Sequence, residues 1–385
     1  MYYTSPAFLD IAIEVINVLK RHVDLHVLIE ITPRSKISNI IKVDNLPASQ
    51  SIIGISELVK KENYKYLESY FDGCASANFI VHTHESGSSF STIKISYIVW
   101  KYIKRIRPDI IHIEAMSLRS LGLVPFLFSR KKIFITIHDV IPHSSKRDWK
   151  ISLPRLLYLK IPYSKSYFFY SKFSKIQFEE LYKKVKYRKY LLKMYPYSYY
   201  RGYIKKGIFQ KKHILLFGSL SAYKGIDILL CAMPSVFEEF PNEFLVIAGH
   251  SKDDSIFNKE ILEKFKNQIT VLNRYIPNEE LVTLIQESKF VICPYLDATQ
   301  SGVLMTSYAI NTPVIATNIG AFPEYIEQNV TGMLVPVNDP VKLADAIKLA
   351  LQNNFYETME ESISNKNKKN MWTNNKDIIL NAYLS

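Results

Sequence analysis

The chain has 385 residues, 48% hydrophobic and 22% charged, with a net charge of +13; the length exceeds one ordinary core, pointing to two domains, and the composition excludes a disordered or fibrous chain. No run of about 18 apolar residues occurs, and the start, MYYTSPAFLDIAIEV, has neither a basic n-region nor a small-residue cleavage site, so a cytosolic protein is expected. Cys74, Cys231 and Cys293 show no CxxC or Cys/His spacing, which argues against a disulfide framework and a structural zinc site and leaves them as core residues.

In chain order, FLDIAIEVINVLKRH reads as a helix, LHVLIEI and NFIVHTH as strands, and STIKISYIVWKYIKRIR as a helix. IIHIE and IFITIHDV are further strands, separated by the helix candidate SLRSLGLVPFLF. An α/β domain normally opens on a strand, whereas here the first clear element is a helix; either the first strand is missing or Met1-Tyr2-Tyr3 is its remnant. From Lys146 to Lys212 nineteen Lys/Arg stand against three acids, and twelve tyrosines fall in the same window. Such a mixture suits an anionic partner with an apolar component, a membrane headgroup layer or nucleic acid; a solvated lysine-rich face is the plain alternative.

From residue 213 the alternation is clean: HILLFGS, then KGIDILLCAMPSVFEEF at helical spacing, FLVIAG, SIFNKEILEKFK, ITVLNRY, PNEELVTLIQES, VICPY, a helix from Ser301, PVIAT, AFPEYIEQ and GMLVPV. Asp339-Pro340 supplies an N-cap and a first-turn proline for VKLADAIKLALQ. A polar tail after Asn353 ends in the helix candidate DIILNAYL. Strands alternating with helices give α/β architecture, two Rossmann-like doubly wound parallel-sheet domains. Domain bounds of 1-205 and 206-385 are expected, with the C-terminal tail free to stay with the second domain or return to the first.

Ligands of such sheets bind beyond the carboxyl ends of the strands. Gly218 and Ser219 end one strand, and Lys224 opens the next helix, where an ammonium reaches phosphate oxygens and glycine lets the backbone approach them. In PYLDATQSGV the polar turn leaves donors of a helix N-terminus at Ser301 and Gly302 open to an anion. Gly320 turns NIGAFPEY, with Glu324 one helical turn later. Each has an ordinary structural alternative: a Lys-Gly helix start, a serine cap, a capping acid. His138, just after a strand in ITIHDVIPH, can exchange hydrogen bonds with a sugar hydroxyl near neutral pH or be a satisfied structural histidine.

Together FGSLSAYKG, VIAG, CPYLDATQSGV, TPVIATNIGAFPE and GMLVPVNDP resemble the second domain of the retaining, nucleotide-sugar-dependent glycosyltransferases of the GT-B fold, family four. The resemblance covers roughly 212 to 352 well, and RPDIIHIE, ITIHDVIPH and YSKFSK extend it thinly over the first half. It implies two domains facing a cleft, the second holding a nucleoside diphosphate sugar and the first presenting the acceptor. It implies a phosphate site at Lys224 and Gly218, a histidine at His138 facing the transferred sugar, and a donor turn at Gln300, Ser301 and Gly302; with the residues read above, the candidate set is catalytic His138, its neighbour Asp139 and Lys224, and donor-binding Gly218, Ser219, Lys224, Asp297, Gln300, Ser301, Gly302 and Glu324. Two departures stand out: Ser219 replaces the usual arginine, and Ala298 and Thr306 occupy the positions of two family glutamates. Asp297 is the expected substitute, and the turn Gln300-Ser301-Gly302 matches a variant branch.

No metal and no cofactor are expected, because Lys224 and helix-terminal N–H groups can stabilise the departing diphosphate. The implied partners are a nucleotide-sugar, a glycan or lipid-linked acceptor and an anionic membrane surface, with no nucleic acid expected. The implied setting is bacterial surface-polysaccharide synthesis (capsule, O-antigen or exopolysaccharide), in the cytoplasm or peripheral on the inner membrane face. A non-catalytic scaffold of the same fold and a basic nucleic-acid-binding protein stay open as alternatives.

Overall fold

Fourteen strands in two sheets carry the described part of the molecule. A computed structural model describes the chain except residues 50, 129–131, 142–148, 161–164, 184–186, 208 and 370, and the side chains of 149–152 and 160. Its contacts divide into two units: Met1–Tyr170, Lys175–Lys193 and Trp372–Ser385 form the first, Ser171–Ser174 and Met194–Met371 the second. The helix Lys376–Leu384 therefore packs with the first unit, and the division falls at Lys193/Met194 rather than after residue 205.

In the first unit the strands are β1 (Tyr2–Thr4), β2 (His26–Ile31), β3 (Ser51–Gly54), β4 (Ser76–Val81), β5 (Ile110–Ile113), β6 (Lys132–Ile137), β7 (Lys165–Phe169) and β8 (Arg188–Leu191). They lie in the order β3-β4-β2-β1-β5-β6-β7-β8, parallel except for the antiparallel β3–β4 pair at one edge. The first strand is thus present: Tyr2 and Tyr3 pair with Val27 and Leu28 on one side and with His112 and Ile113 on the other. Three residues are too few to show a period, which is why the sequence reads as opening on a helix. That helix, Leu9–Leu19, follows at once and buries nine of its eleven residues.

Two other expectations change. SLRSLGLVPFLF is a 3-10 turn, Leu118–Leu123, continued by one helical turn at Val124–Leu127. The tyrosine-rich segment supplies β7 and β8, and Tyr158, Tyr167, Tyr170, Tyr195, Tyr197, Tyr199 and Tyr200 are buried. These seven rings fill cores and are not available as an apolar docking face, whereas Phe173 is exposed. Residues 146–148, 161–164, 184–186 and 208 of that segment lie outside the described residues.

The second unit holds β9 (His213–Phe217), β10 (Leu245–Gly249), β11 (Ile269–Asn273), β12 (Ser288–Cys293), β13 (Val314–Thr317) and β14 (Gly332–Val335), all parallel, in the order β11-β10-β9-β12-β13-β14. β9 and β13 are buried along their whole length, as apolar runs covered on both faces should be. Ile214, Leu216, Phe290 and Ile292 meet Leu229, Leu230 and Met233 of the helix Ile226–Glu239 in one core; each large side chain buried there contributes about 1.5–3 kcal/mol. The expected cap at Asp339 forms, its side chain accepting from Lys342 N at 2.9 Å with Pro340 in the first turn. The tail after Asn353 is more ordered than its polarity suggests: Phe355–Asn367 is a helix that buries Tyr356, Met359 and Ile363. Of the cysteines, Cys293 is buried, Cys74 half-buried and Cys231 exposed, so only the first is a core residue.

Candidate functional site

Strand order locates the ligand edge of each sheet. In the second unit the chain runs outward from β9 through β10 to β11, then returns to β12 on the other side of β9. The loops after β9 and β12 therefore diverge, leaving a crevice at their carboxyl ends. Two cavities of about 370 and 320 Å³ in the first unit lie at the opposite edge, beside the first residues of strands such as Lys132, Lys165, Arg188 and Ile110. The ligand edge is identified here by topology.

At the β9/β12 crevice the two loops are tied together. Leu296 N donates to Tyr223 O at 2.7 Å, and Lys224 Nζ donates to the Tyr295 hydroxyl at 3.0 Å. Gly225 has φ +65° and a Cβ there would meet Pro294 O at 2.0 Å, so no other residue lets the loops approach so closely. Gly218, at φ +113°, would place a Cβ 3.0 Å from Lys224 Nζ; its missing side chain leaves the ammonium room. Lys224 is only 5% exposed, and burial pushes its pKa down to about 8. The neighbouring Tyr295 hydroxyl is driven well above its ordinary value, first by burial, so it meets Lys224 as a neutral oxygen. Among the described residues no carboxylate pairs with this buried ammonium, which faces a neutral phenol, the condition in which an arriving anion gains most.

Ser301 caps the helix Gly302–Ala309, its Oγ accepting from Leu304 N at 3.3 Å, and Tyr295 O accepts from Thr317 Oγ1 at 2.6 Å. Gln300 Nε2 and Ser221 Oγ are buried without a hydrogen-bond partner among the described residues, a condition that costs roughly 1–3 kcal/mol each until a polar atom pairs with them. Gly302 and Asp297 are exposed, as is Ser219 after Gly218. Ala298 and Thr306, where the family resemblance leads one to expect acids, are 5% and 4% exposed. Glu324 is exposed, and its two oxygens accept from Lys172 N and Phe173 N, both at 2.8 Å, at the start of the helix Lys172–Leu181. As placed, its carboxylate is engaged by the chain itself.

The first unit has its own switch point, between β1 and β5. Register puts Glu114, one residue past β5, beside Thr136 of β6, and His138 follows β6 directly. His138 Nε2 lies 3.1 Å from Glu114 Oε1 and His112 Nε2 lies 3.5 Å from Glu114 Oε2. The His138 contact has the distance of a hydrogen bond but not its alignment, and both Glu114 oxygens are buried without a hydrogen-bond partner of good geometry. Burial pushes the Glu114 carboxyl up, but His138, His112 and Thr136 around it outweigh that and hold it down at about 2. His112 is held neutral, burial lowering it to about 4; its Nδ1 pairs with Tyr383 OH at 2.6 Å and its Nε2 with Thr136 Oγ1 at 2.8 Å. Phe8 stacks on His138 at 4.1 Å and 11°, with Tyr170 at 5.8 Å. The imidazole is fixed by an aromatic face and a carboxylate, the arrangement that orients a hydrogen-bonding histidine. Asp139 is half-buried next to it, and its carbonyl accepts from Arg155 Nη1 at 2.8 Å.

Sequence reasoning named His138, Asp139, Lys224, Gly218, Ser219, Gln300, Ser301, Gly302, Asp297 and Glu324. Within the second unit the structure groups Gly218 and Lys224 with the loop that carries Ser301. It adds Tyr295, Tyr223 and Ser221, and in the first unit Glu114, Thr136, His112 and Phe8. Glu114 had a signal, an acid closing the apolar run of RPDIIHIE; the tyrosines had none.

Residues 211–353 match the family model described as Glycosyl transferases group 1. A D-inositol 3-phosphate glycosyltransferase of Corynebacterium jeikeium is 29% identical over 172 residues, 43% of this chain and 41% of that protein. A Klebsiella pneumoniae 41.2 kDa protein in the cps region is 28% identical over 177 residues, 45% of this chain and 47% of that one. The matches thus span less than half of those relatives. The crystal structure of Anabaena Alr3699/HepE in complex with UDP-glucose superposes with a TM-score of 0.67 at 14% identity, covering 99% of this chain and 100% of that one. That likeness establishes the fold, two parallel-sheet α/β domains of the GT-B kind.

Proposed function

We propose that this chain, whose residues 211–353 form a glycosyl transferases group 1 domain, moves a sugar from a nucleotide-sugar donor to a hydroxyl of a glycan or lipid-linked acceptor, with retention at the transferred carbon. The observation that carries the proposal is Lys224: a buried ammonium with no carboxylate partner among the described residues, beside a side-chain-free turn, at the β9/β12 switch point. A diphosphate supplies the missing charge. As the sugar–phosphate bond breaks, negative charge grows on the departing oxygen, and Lys224 is already placed to stabilise it without reorganising.

In the front-face route the acceptor hydroxyl forms the new bond to the sugar carbon and its proton passes to the departing diphosphate oxygen. His138, held by Glu114 and Phe8, is assigned the hydrogen bond to a sugar or acceptor hydroxyl. With Ala298 and Thr306 lacking carboxylates, Asp297 takes the ribose contact, and Gln300 Nε2 and Ser221 Oγ are free to pair with the donor. The reading needs no resident metal. The Anabaena neighbour crystallised with UDP-glucose supports the donor class, and the relative in a cps region supports surface-polysaccharide synthesis as the setting.

A second reading rests on the same two positions: Ala298 and Thr306 in place of acids fit a chain that binds a nucleotide sugar without transferring it. Release of nucleoside diphosphate from a panel of nucleotide sugars, with and without membrane-extracted acceptors, separates the two. Acceptor-dependent release lost in His138→Ala is the expected result; saturable binding with no release under any acceptor makes the chain a scaffold.

A further inference from the structure

Among the described residues the helix Phe90–Ile106 is packed on one face and its flanks. Thr92, Ile95, Val99 and Ile103 are buried, and the backbone at Ser96 lies so close to Gly122 that a Cβ on the glycine would meet Ser96 O at 2.5 Å. The helix is therefore seated firmly on the first unit, and its other face is displayed rather than loose. On that face Phe90 is 91% exposed, Ile93 63% and Tyr97 53%. Spacings of three and four residues put these three on one stripe. Large apolar side chains so exposed in a row, on a rigid helix, mark a surface that is covered in use.

The charge on the helix says by what. From Phe90 to Arg107 there is no acid, and Lys94, Lys101, Lys104, Arg105 and Arg107 are all exposed. Lys101 Nζ stands 4.7 Å over the Tyr97 ring and Lys104 Nζ 4.3 Å over the Trp100 ring, while Tyr97 and Trp100 stack at 5.8 Å. An apolar first turn followed by ring-supported cations, with no acid to offer a basic or neutral protein partner, is the pattern of a helix that lies in a headgroup layer. We propose that the exposed face of Phe90–Ile106 docks the protein on an anionic phospholipid surface, Phe90, Ile93 and Tyr97 entering the acyl boundary and Lys94, Lys101 and Lys104 meeting lipid phosphates. This inference does not depend on the proposed reaction. It also moves the docking surface away from the basic segment after residue 146, whose tyrosines are largely buried.

Sedimentation of the full chain with vesicles of phosphatidylglycerol and phosphatidylcholine, against phosphatidylcholine alone, tests it. Binding to the anionic vesicles only, weakened by salt, is expected. The triple variant Phe90→Ser, Ile93→Ser, Tyr97→Ser and the variant Lys94→Glu, Lys101→Glu, Lys104→Glu should each lower the partition coefficient about tenfold or more. Lys183→Glu, Lys205→Glu, Lys206→Glu, the same charge change on the basic segment, should matter much less. All altered side chains are exposed, so unchanged thermal melting is expected and checks the fold. Absence of binding overturns the proposal. So does binding that survives both helix variants, or light scattering that shows a dimer abolished by the apolar variant, which would assign the face to a second copy.

Discussion

The two strand-end constellations are built in opposite ways. In the second unit a single buried cation, Lys224, sits among loop backbone and glycines, and its neutral neighbour Tyr295 leaves its charge unanswered. In the first unit a buried anion, Glu114, is surrounded by two histidines and a threonine projecting from adjacent strands. The first arrangement leaves a positive charge that an anionic ligand would answer; in the second His138, His112 and Thr136 hold the carboxylate ionised although His112 is itself neutral, and the carboxylate faces the His138 ring. The difference teaches that a buried cation set among backbone and glycines offers its charge outward, whereas a buried carboxylate ringed by side chains directs its charge at orienting them.

The largest expected effect is on turnover. His138→Ala should lower kcat about 10²-fold or more while leaving the donor Kd within a factor of two or so; steady-state rates beside calorimetry measure both, and an equal loss in both quantities would merge the two roles. Next is Lys224→Met, expected to weaken nucleoside diphosphate binding about 30- to 100-fold, the worth of a charge-assisted contact. The same change should not destabilise the fold. Holding an ammonium where its pKa falls from 10.5 to about 8 costs on the order of 3 kcal/mol. Below pH 8 the lysine is charged in both folded and unfolded chains, and the fold carries that full cost. As pH rises from about 8 towards 10.5 the folded lysine is neutral and the unfolded one still charged, so the cost is relieved. A melting temperature that drops sharply in Lys224→Met at neutral pH would contradict this.

Donor affinity should show the complementary trend, falling about tenfold per pH unit above pH 8 as the free site loses its proton. A flat profile to pH 9 would remove Lys224 from the diphosphate. Glu114→Gln sharpens the other half of the comparison. Glu114, depressed from 4.5 to about 2, contributes stability that is fully present above about pH 4.5 and lost as pH falls through 2. The variant should lose part of that acid-limb dependence in unfolding titrations and drop kcat roughly tenfold with donor binding intact; wild-type kcat would reduce Glu114 to a packing role. The smallest change is Tyr295→Phe, which removes the hydroxyl that accepts from Lys224 Nζ and should alter donor Kd only a few-fold.

What the sequence made legible follows the same division. Second-unit features announce themselves locally: a glycine at a strand end, a lysine at a helix start, a Ser-Gly pair after a polar turn, each within a few residues of its partner. The β9–β14 alternation is equally local, since every strand is an apolar run bounded by turn residues. In the first unit the deciding fact is register. Nothing around Glu114 in the chain shows that β5 lies beside β6, which brings the carboxylate to His138. Tyr2–Thr4 is too short for a period, and β3 (Ser51–Gly54) is a half-buried edge strand. The tyrosines after residue 146 carry hydroxyls and stand among lysines, so composition places them at the surface; the strands β7 and β8 and the packing of Tyr158, Tyr167 and Tyr170 place seven of the described ones inside. By contrast the helix Phe90–Ile106 is legible in the sequence as a helix, but only its exposures show which apolar residues it withholds from the core.

The most direct measurement is thermal unfolding of the full chain against UDP, GDP, ADP and CMP and their sugar conjugates, with Lys224→Ala in parallel. Selective stabilisation of about 2.7 kcal/mol at a hundredfold excess over Kd, disappearing in Lys224→Ala, is the result expected of a donor site built on the β9/β12 crevice. No stabilisation of the folded wild-type chain by any of these ligands, or an equal shift in the variant, would contradict it.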